Sequence, residues 1–316
     1  MKRRLAAVTA VAALCIGCGA SAPPMFLTVL TGNTSGVYYP LGVALSQIFR
    51  TVIPEATLSV QSTAASAENL RLLEAERGEL AFALGDVVAD AWEGSVNAGF
   101  TEPLGKIRAV GAIYPNYIQI VASADAGVRT LEDLRGKRIS VGAPGSGTEL
   151  NARAITRAAG LSYDDFSRVE YLSFSESVEL IKNRQLDITL QSAGLGVASL
   201  RDLAASVPIV VIPIPADVVR NVGRMIYQPG IIPAGTYDGQ VDAVETASIR
   251  NMLVTHDNVP EDVVYRMTRA LFEHLDELAA AHAAASQISR EDAVKSLPVP
   301  LHPGAAAYYR EVGLIE

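Results

Sequence analysis

Cysteine is nearly absent from these 316 residues: there are two, Cys15 and Cys18, both inside an N-terminal apolar stretch. Everything after residue 18 therefore lacks a disulfide framework, structural zinc thiolates and a thiol nucleophile. Histidine is almost as scarce. The four (His256, His274, His282 and His302) fall in the last quarter of the chain without HExxH spacing, so no metal site is expected. No G-x-S-x-G elbow occurs, and GAPGSGT at 142–148 has neither the lysine of a phosphate loop nor the full dinucleotide spacing, so no cofactor is expected either. The acid pairs Asp164/Asp165 and Asp276/Glu277 read as solvated faces, and catalysis has no visible residue set. Basic residues are the minority, 26 Lys+Arg against 34 Asp+Glu for a formal charge of −8, and no basic stripe is interleaved with aromatics. Nucleic acid is excluded as an expected partner.

What is present is apolar and repetitive in its architecture. The chain is 49% hydrophobic and 19% charged, enough to bury a core in two lobes. A basic start at 1–4 precedes an uncharged apolar run at 5–17, the layout of a secretory signal peptide, expected over 1–22. Two cleavage patterns compete. Cys15-Ile16-Gly17-Cys18 resembles a lipobox, which would lipidate Cys18, and Ala20-Ser21-Ala22 is an A-x-A pattern followed by Pro23. Either way an extracytoplasmic, periplasmic location is expected, soluble or lipid-anchored.

Strands and helices alternate. FLTVLT at 26–31, the loop Gly32-Asn33-Thr34-Ser35-Gly36 and a helical period over 37–51 give strand, glycine loop, helix. A strand at 57–61, a helix at 66–77, a strand at 80–84 and a helix at 87–92 follow. Strands are expected at 107–114 and 117–123, parted by Pro115-Asn116. RISV at 138–141, the glycine-rich 142–148 and a helix at 149–159 then repeat the opening arrangement, with strands at 169–172, 188–190 and 207–214 and a helix at 176–183 behind it. The segment 242–253 is strand-like then mixed, and 260–285 reads as one long helix or a pair. The fold class is therefore α/β with two lobes and a cleft between them.

Each glycine loop sets backbone amides and small hydroxyls at a helix start, where the helix dipole favours an anion. Thr34, Ser35, Ser146 and Thr148 are expected to donate to a carboxylate, with Tyr38 and Tyr114 walling an apolar stem.

Four segments resemble one known family. TGNTSGVYYPLGVALSQIF (31–49), LEDLRGKRISVGAPGSGTELNARAI (131–155), IIPAGTYDGQ (231–240) and LHPGAAAYYREVGL (301–314) are similar, in consistent order, to the TAXI receptors of tripartite ATP-independent (TRAP) transporters. The resemblance implies a type II-like periplasmic-binding-protein fold with a hinge. Lobe one would be 26–108 plus 231–316, and lobe two 109–230. It implies delivery of a glutamate- or 2-oxoglutarate-like dicarboxylate to an ion-driven permease, and a pocket using Asn33, Thr34, Ser35, Tyr38, Ser62, Thr63, Tyr114, Ser146, Gly147 and Thr148. Asp86 and Gln191, at strand ends, complete the candidate set. The chain departs from the family pattern at Gly85-Asp86 and Gly194-Leu195-Gly196. The alternatives are a binding protein for an ATP-driven (ABC) importer and a secreted enzyme using the same cleft.

Overall fold

The computed structural model describes residues 25–316. The signal peptide, both cleavage patterns and Cys18 lie outside the described residues.

The first half opens with β1 (Met25–Leu30), α1 (Tyr38–Val52), β2 (Ala56–Gln61), α2 (Ser66–Glu74), β3 (Leu80–Leu84) and α3 (Gly85–Glu93). A long strand, β4 (Ile107–Ser123), leads to β5 (Arg138–Ser140), α4 (Gly147–Ala158), β6 (Arg168–Glu170), α5 (Phe174–Lys182), β7 (Ile188–Ala193), α6 (Ala198–Ser206), β8 (Ile209–Ile212), α7 (Ala216–Asn221) and β9 (Gln228–Ile232). A second long strand, β10 (Val244–His256), returns the chain to α8 (Glu261–Glu273), α9 (Leu275–Ala281) and α10 (Pro303–Glu311).

The sheet order is β2-β1-β3-β10-β4-β7-β5-β6. β2, β1 and β3 are mutually parallel, as are β6, β5 and β7, and each trio is flanked by one antiparallel long strand, β10 or β4. The two trios mirror each other. β1 with α1 and β5 with α4 thus occupy equivalent places, each loop leaving the carboxyl end of the central strand of its trio, where open α/β sheets place ligands.

The long strands join the halves. β10 pairs with β3 through Asn251–Val254 and with β9 through Val244–Ser248, while β4 pairs with β7 through Tyr117–Ala122. Both strands therefore cross within their own length, near Pro115 and Arg250, whereas the sequence reading divides the lobes at 108/109 and 230/231. The expected break at Pro115-Asn116 is not a strand end. Pro115 faces Arg250 where the register shifts between Arg250 and Met252, and an irregularity of this kind tolerates a residue without a backbone N–H.

The C-terminal apolar segment is two helices rather than one, turning at His274. One apolar cluster, including Leu41, Phe49, Tyr114, Val178, Leu200, Met267 and Tyr309, runs from α1 through the C-terminal helices into the second half. Separate clusters fill the β7-β5-β6 end of the sheet, around Ile139, Ile155 and Leu190, and the α2–α3 face, around Leu70, Val88 and Phe100. Among the described residues no helix is long and apolar enough to cross a membrane.

Candidate functional site

A cavity of about 100 Å³ lies between the halves, and residues from both glycine loops wall it. Four helices begin in this wall. The cap and first residue of α1 (Val37, Tyr38), α2 (Ala65, Ser66), α4 (Ser146, Gly147) and α5 (Ser173, Phe174) all line it, and Leu84, the cap of α3, joins them. Among the described residues no lining residue is charged. Each start turns unpaired N–H groups and the positive end of a dipole toward the same space. Neither α1 nor α2 has a side-chain cap; the Glu68 N–H of α2 goes to the Gly145 carbonyl and Pro40 of α1 has no N–H, which leaves the first two amides of each helix for a guest. Ala65 holds φ at 74°, a left-handed value costly for a residue with a Cβ, and its N–H donates to Thr63 Oγ1 at 2.9 Å.

Side-chain hydroxyls add donors. Tyr114 is fully buried and its hydroxyl has no partner. Burial pushes that phenol well above its usual range, so it keeps its proton and can donate it to a guest. Ser66 Oγ accepts from the Leu84 N–H at 3.1 Å, Ser146 Oγ from the Glu149 N–H at 3.1 Å and Thr148 Oγ1 from the Ser192 N–H at 3.4 Å, so all three keep a proton to give. Apolar surface comes from Leu84, Phe174 and Tyr38, whose ring stacks on Phe82 at 5.0 Å. Asn251, at the crossing of β10, anchors both tyrosines. It accepts from the Tyr38 hydroxyl at 2.6 Å and donates to the Tyr114 carbonyl at 3.1 Å.

Seven of the sequence candidates stand in the wall: Asn33, Tyr38, Thr63, Tyr114, Ser146, Gly147 and Thr148. The structure puts five elsewhere. Thr34 is exposed at the loop tip, and Ser35 donates to Asn33 Oδ1 at 2.6 Å and accepts from Ser175 at 2.9 Å, so both shape the loop rather than face the cavity. Ser62 is spent on the Gly32 carbonyl at 2.8 Å. Gln191 is fully buried against α6, accepting from Ser199 at 2.6 Å; strand alternation turns its neighbour Ser192 to the cavity instead. Asp86 lies behind the wall, where it accepts from Tyr227 Oη at 2.6 Å and Asn151 Nδ2 at 2.7 Å. Burial drives its carboxyl above the usual range, against the Tyr227 hydrogen bond and the Arg224 charge that pull it down.

The wall also contains Ser66, Asn116, Ser173, Phe174 and Ser192, which the sequence reading did not single out. Asn116 carries a signal in retrospect: an amide inside a largely apolar strand, 2% exposed, needs a partner. Ser173 opens a capping box with Glu176, another mark of a helix start.

A family model described as the NMT1-like family matches residues 29–313. Among solved structures, PhnD1 from Prochlorococcus marinus in complex with methylphosphonate is 10% identical over 93% of this chain and 100% of that one, with a TM-score of 0.60. A protein described as an L-cystine ABC transporter from Listeria monocytogenes is 12% identical over 84% and 98%, at 0.52. The alkanesulfonate-binding protein SsuA from Xanthomonas axonopodis pv. citri bound to MOPS is 15% identical over 86% of each chain, at 0.50. At these identities the likeness is one of fold, and it agrees with the two-lobed α/β binding-protein architecture expected from the sequence.

Proposed function

Because the chain belongs to the NMT1-like family, we propose that it is an extracytoplasmic solute-binding receptor that captures a small organic acid between its halves and hands it to a membrane importer. One observation carries this reading: four helix starts converge on a cavity that has no charged side chain. Backbone amides and hydroxyls aimed inward hold an anion there without the cost of burying a fixed counter-charge. The solutes named for two fold neighbours, methylphosphonate and MOPS, are small acids and support an anionic guest.

Of the importers left open by the sequence, the ABC type is better supported, since a fold neighbour is described as an ABC transporter. Coupling to an ion-driven TRAP permease rests on the four sequence segments alone. In a dicarboxylate of the glutamate type, both carboxylates would fall to helix starts and hydroxyls, because among the described residues no lysine or arginine lines the cavity.

Thermal-shift screening against small carboxylic, phosphonic and sulfonic acids tests the reading. A cognate acid raises the melting temperature in proportion to its affinity. Thr148→Ala should weaken that acid roughly tenfold or more, the loss of about 1.5–3 kcal/mol for a hydrogen bond to a charged group. A panel without a single shift, or a hit whose affinity ignores Thr148→Ala, contradicts it.

A further inference from the structure

We infer that Asp86, outside the cavity wall, is a positioning residue that makes the site select acids bearing a second group able to donate a hydrogen bond, an ammonium or a hydroxyl. The inference rests on the receptor reading above and deepens it to a substrate class. It follows from a buried relay of four side chains.

With Asp86 ionised the relay has one direction, set from its far end. Asp86 Oδ2 receives both Tyr227 Oη at 2.6 Å and Asn151 Nδ2 at 2.7 Å, so it is an acceptor. As the carboxylate, Asp86 has no proton to give, so both contacts donate to it. Asn151, fully buried, must turn its NH₂ to Asp86 and its Oδ1 the other way, where it accepts from Ser192 Oγ at 2.6 Å. Having given its proton to Asn151, the Ser192 hydroxyl can only accept from its other neighbour, Asn116 Nδ2, at 3.0 Å. Asn116 stands in the cavity wall, and with its NH₂ committed backward its carbonyl oxygen is left to the guest.

Among the amide side chains of the wall, that carbonyl is the one without a partner in the described residues. Of the two amide side chains in the wall, Asn33 spends its Oδ1 on the Ser35 N–H and hydroxyl. The helix starts and the Tyr114, Ser146 and Thr148 hydroxyls offer donors. A guest that satisfies the site therefore brings acceptors for these and one donor for Asn116. An acid without the donor leaves a buried carbonyl unpaired, the situation in which binding sites discriminate most strongly.

Calorimetric titration of the protein with matched acids is the test: L-malate against succinate, L-glutamate against glutarate, L-lactate against propanoate. In any pair that binds, the donor-bearing member should bind at least about tenfold tighter. Asp86→Asn, whose amide can present either end to Asn151, should bring that ratio toward one while the weaker acid keeps its affinity within about twofold; a purely structural role would weaken both members alike. Equal affinities within a pair, or a ratio unchanged in Asp86→Asn, overturn the inference. If circular dichroism shows Asp86→Asn unfolded, Ser192→Ala cuts the same relay; loss of the ratio supports the inference and its persistence overturns it. Failure of all six acids to bind contradicts the receptor reading and this inference with it. Binding without preference contradicts the inference alone.

Discussion

Tyr114 concentrates the physics of the site in one atom. Its hydroxyl is buried beside the cavity and has no partner among the described residues, a state that costs about 1–3 kcal/mol unless a guest or water accepts from it. Tyr114→Phe should therefore act with opposite signs on stability and binding. Without solute the melting temperature should hold or rise, and with solute the affinity should drop about tenfold or more, read by thermal denaturation and calorimetry on the same preparation. A variant losing stability and affinity together would mean that the hydroxyl has another partner. At this scale the sequence was partly legible. Glycine loops and helix starts announce Ser146, Gly147 and Thr148, because their spacing alone dictates where amides point. Gln191 and Ser192 cannot be told apart without strand register, since consecutive residues face opposite sides. Asn116 was hidden by the proline before it, which read as a break.

Elements that follow local rules were readable: β1 with its loop and α1, β5 with its loop and α4. Those fixed by partners were not. Gln228–Ile232 contains Pro229 and Gly230, poor strand residues, and is a strand only because β10 lies alongside. β4 continues through Pro115 because the irregular pairing with β10 absorbs the missing donor. The end of β10 carries a measurable consequence. His256 closes the strand with both ring nitrogens buried and unpartnered, and burial holds it below its ordinary 6.5. His302 accepts from the Gly304 N–H at 3.1 Å at the start of α10 and is likewise lowered by burial. The unfolded chain takes up these protons near 6.5 and the folded chain only at lower pH. The stabilisation is thus fully present above about 6.5 and is lost as pH falls below it. The melting temperature should drop by several degrees between about pH 7.5 and about pH 5.5, and His256→Leu should flatten that slope. A slope identical in the variant would remove His256 from the account.

Across the whole molecule, the contacts that hold the halves together ring the cavity. Arg224 meets Asp90 at 2.9 Å, Tyr227 and Asn151 meet Asp86, Ser175 meets Ser35, and the Glu68 N–H donates to the Gly145 carbonyl at 3.2 Å. Gly147 lets α4 seat against the first half: a Cβ there would come within 2.6 Å of Leu84 Cδ1 and 2.7 Å of Ser66 Oγ. The molecule therefore stands closed, its helix starts gathered around a space from which charged side chains are excluded. Composition set the expectations about chemistry, but it could not show that the starts of α2 and α5 join those of α1 and α4. That convergence depends on how the halves meet.

Converging helix starts select negative charge, and one calorimetric comparison decides whether they do: the best-binding acid against its primary carboxamide, equal in shape and without the charge. Each helix start adds up to about 2 kcal/mol for an anion in a partly buried setting, so the acid should bind at least tenfold tighter than the amide. An amide that binds as well as the acid, or a cation that binds better than either, would contradict the account.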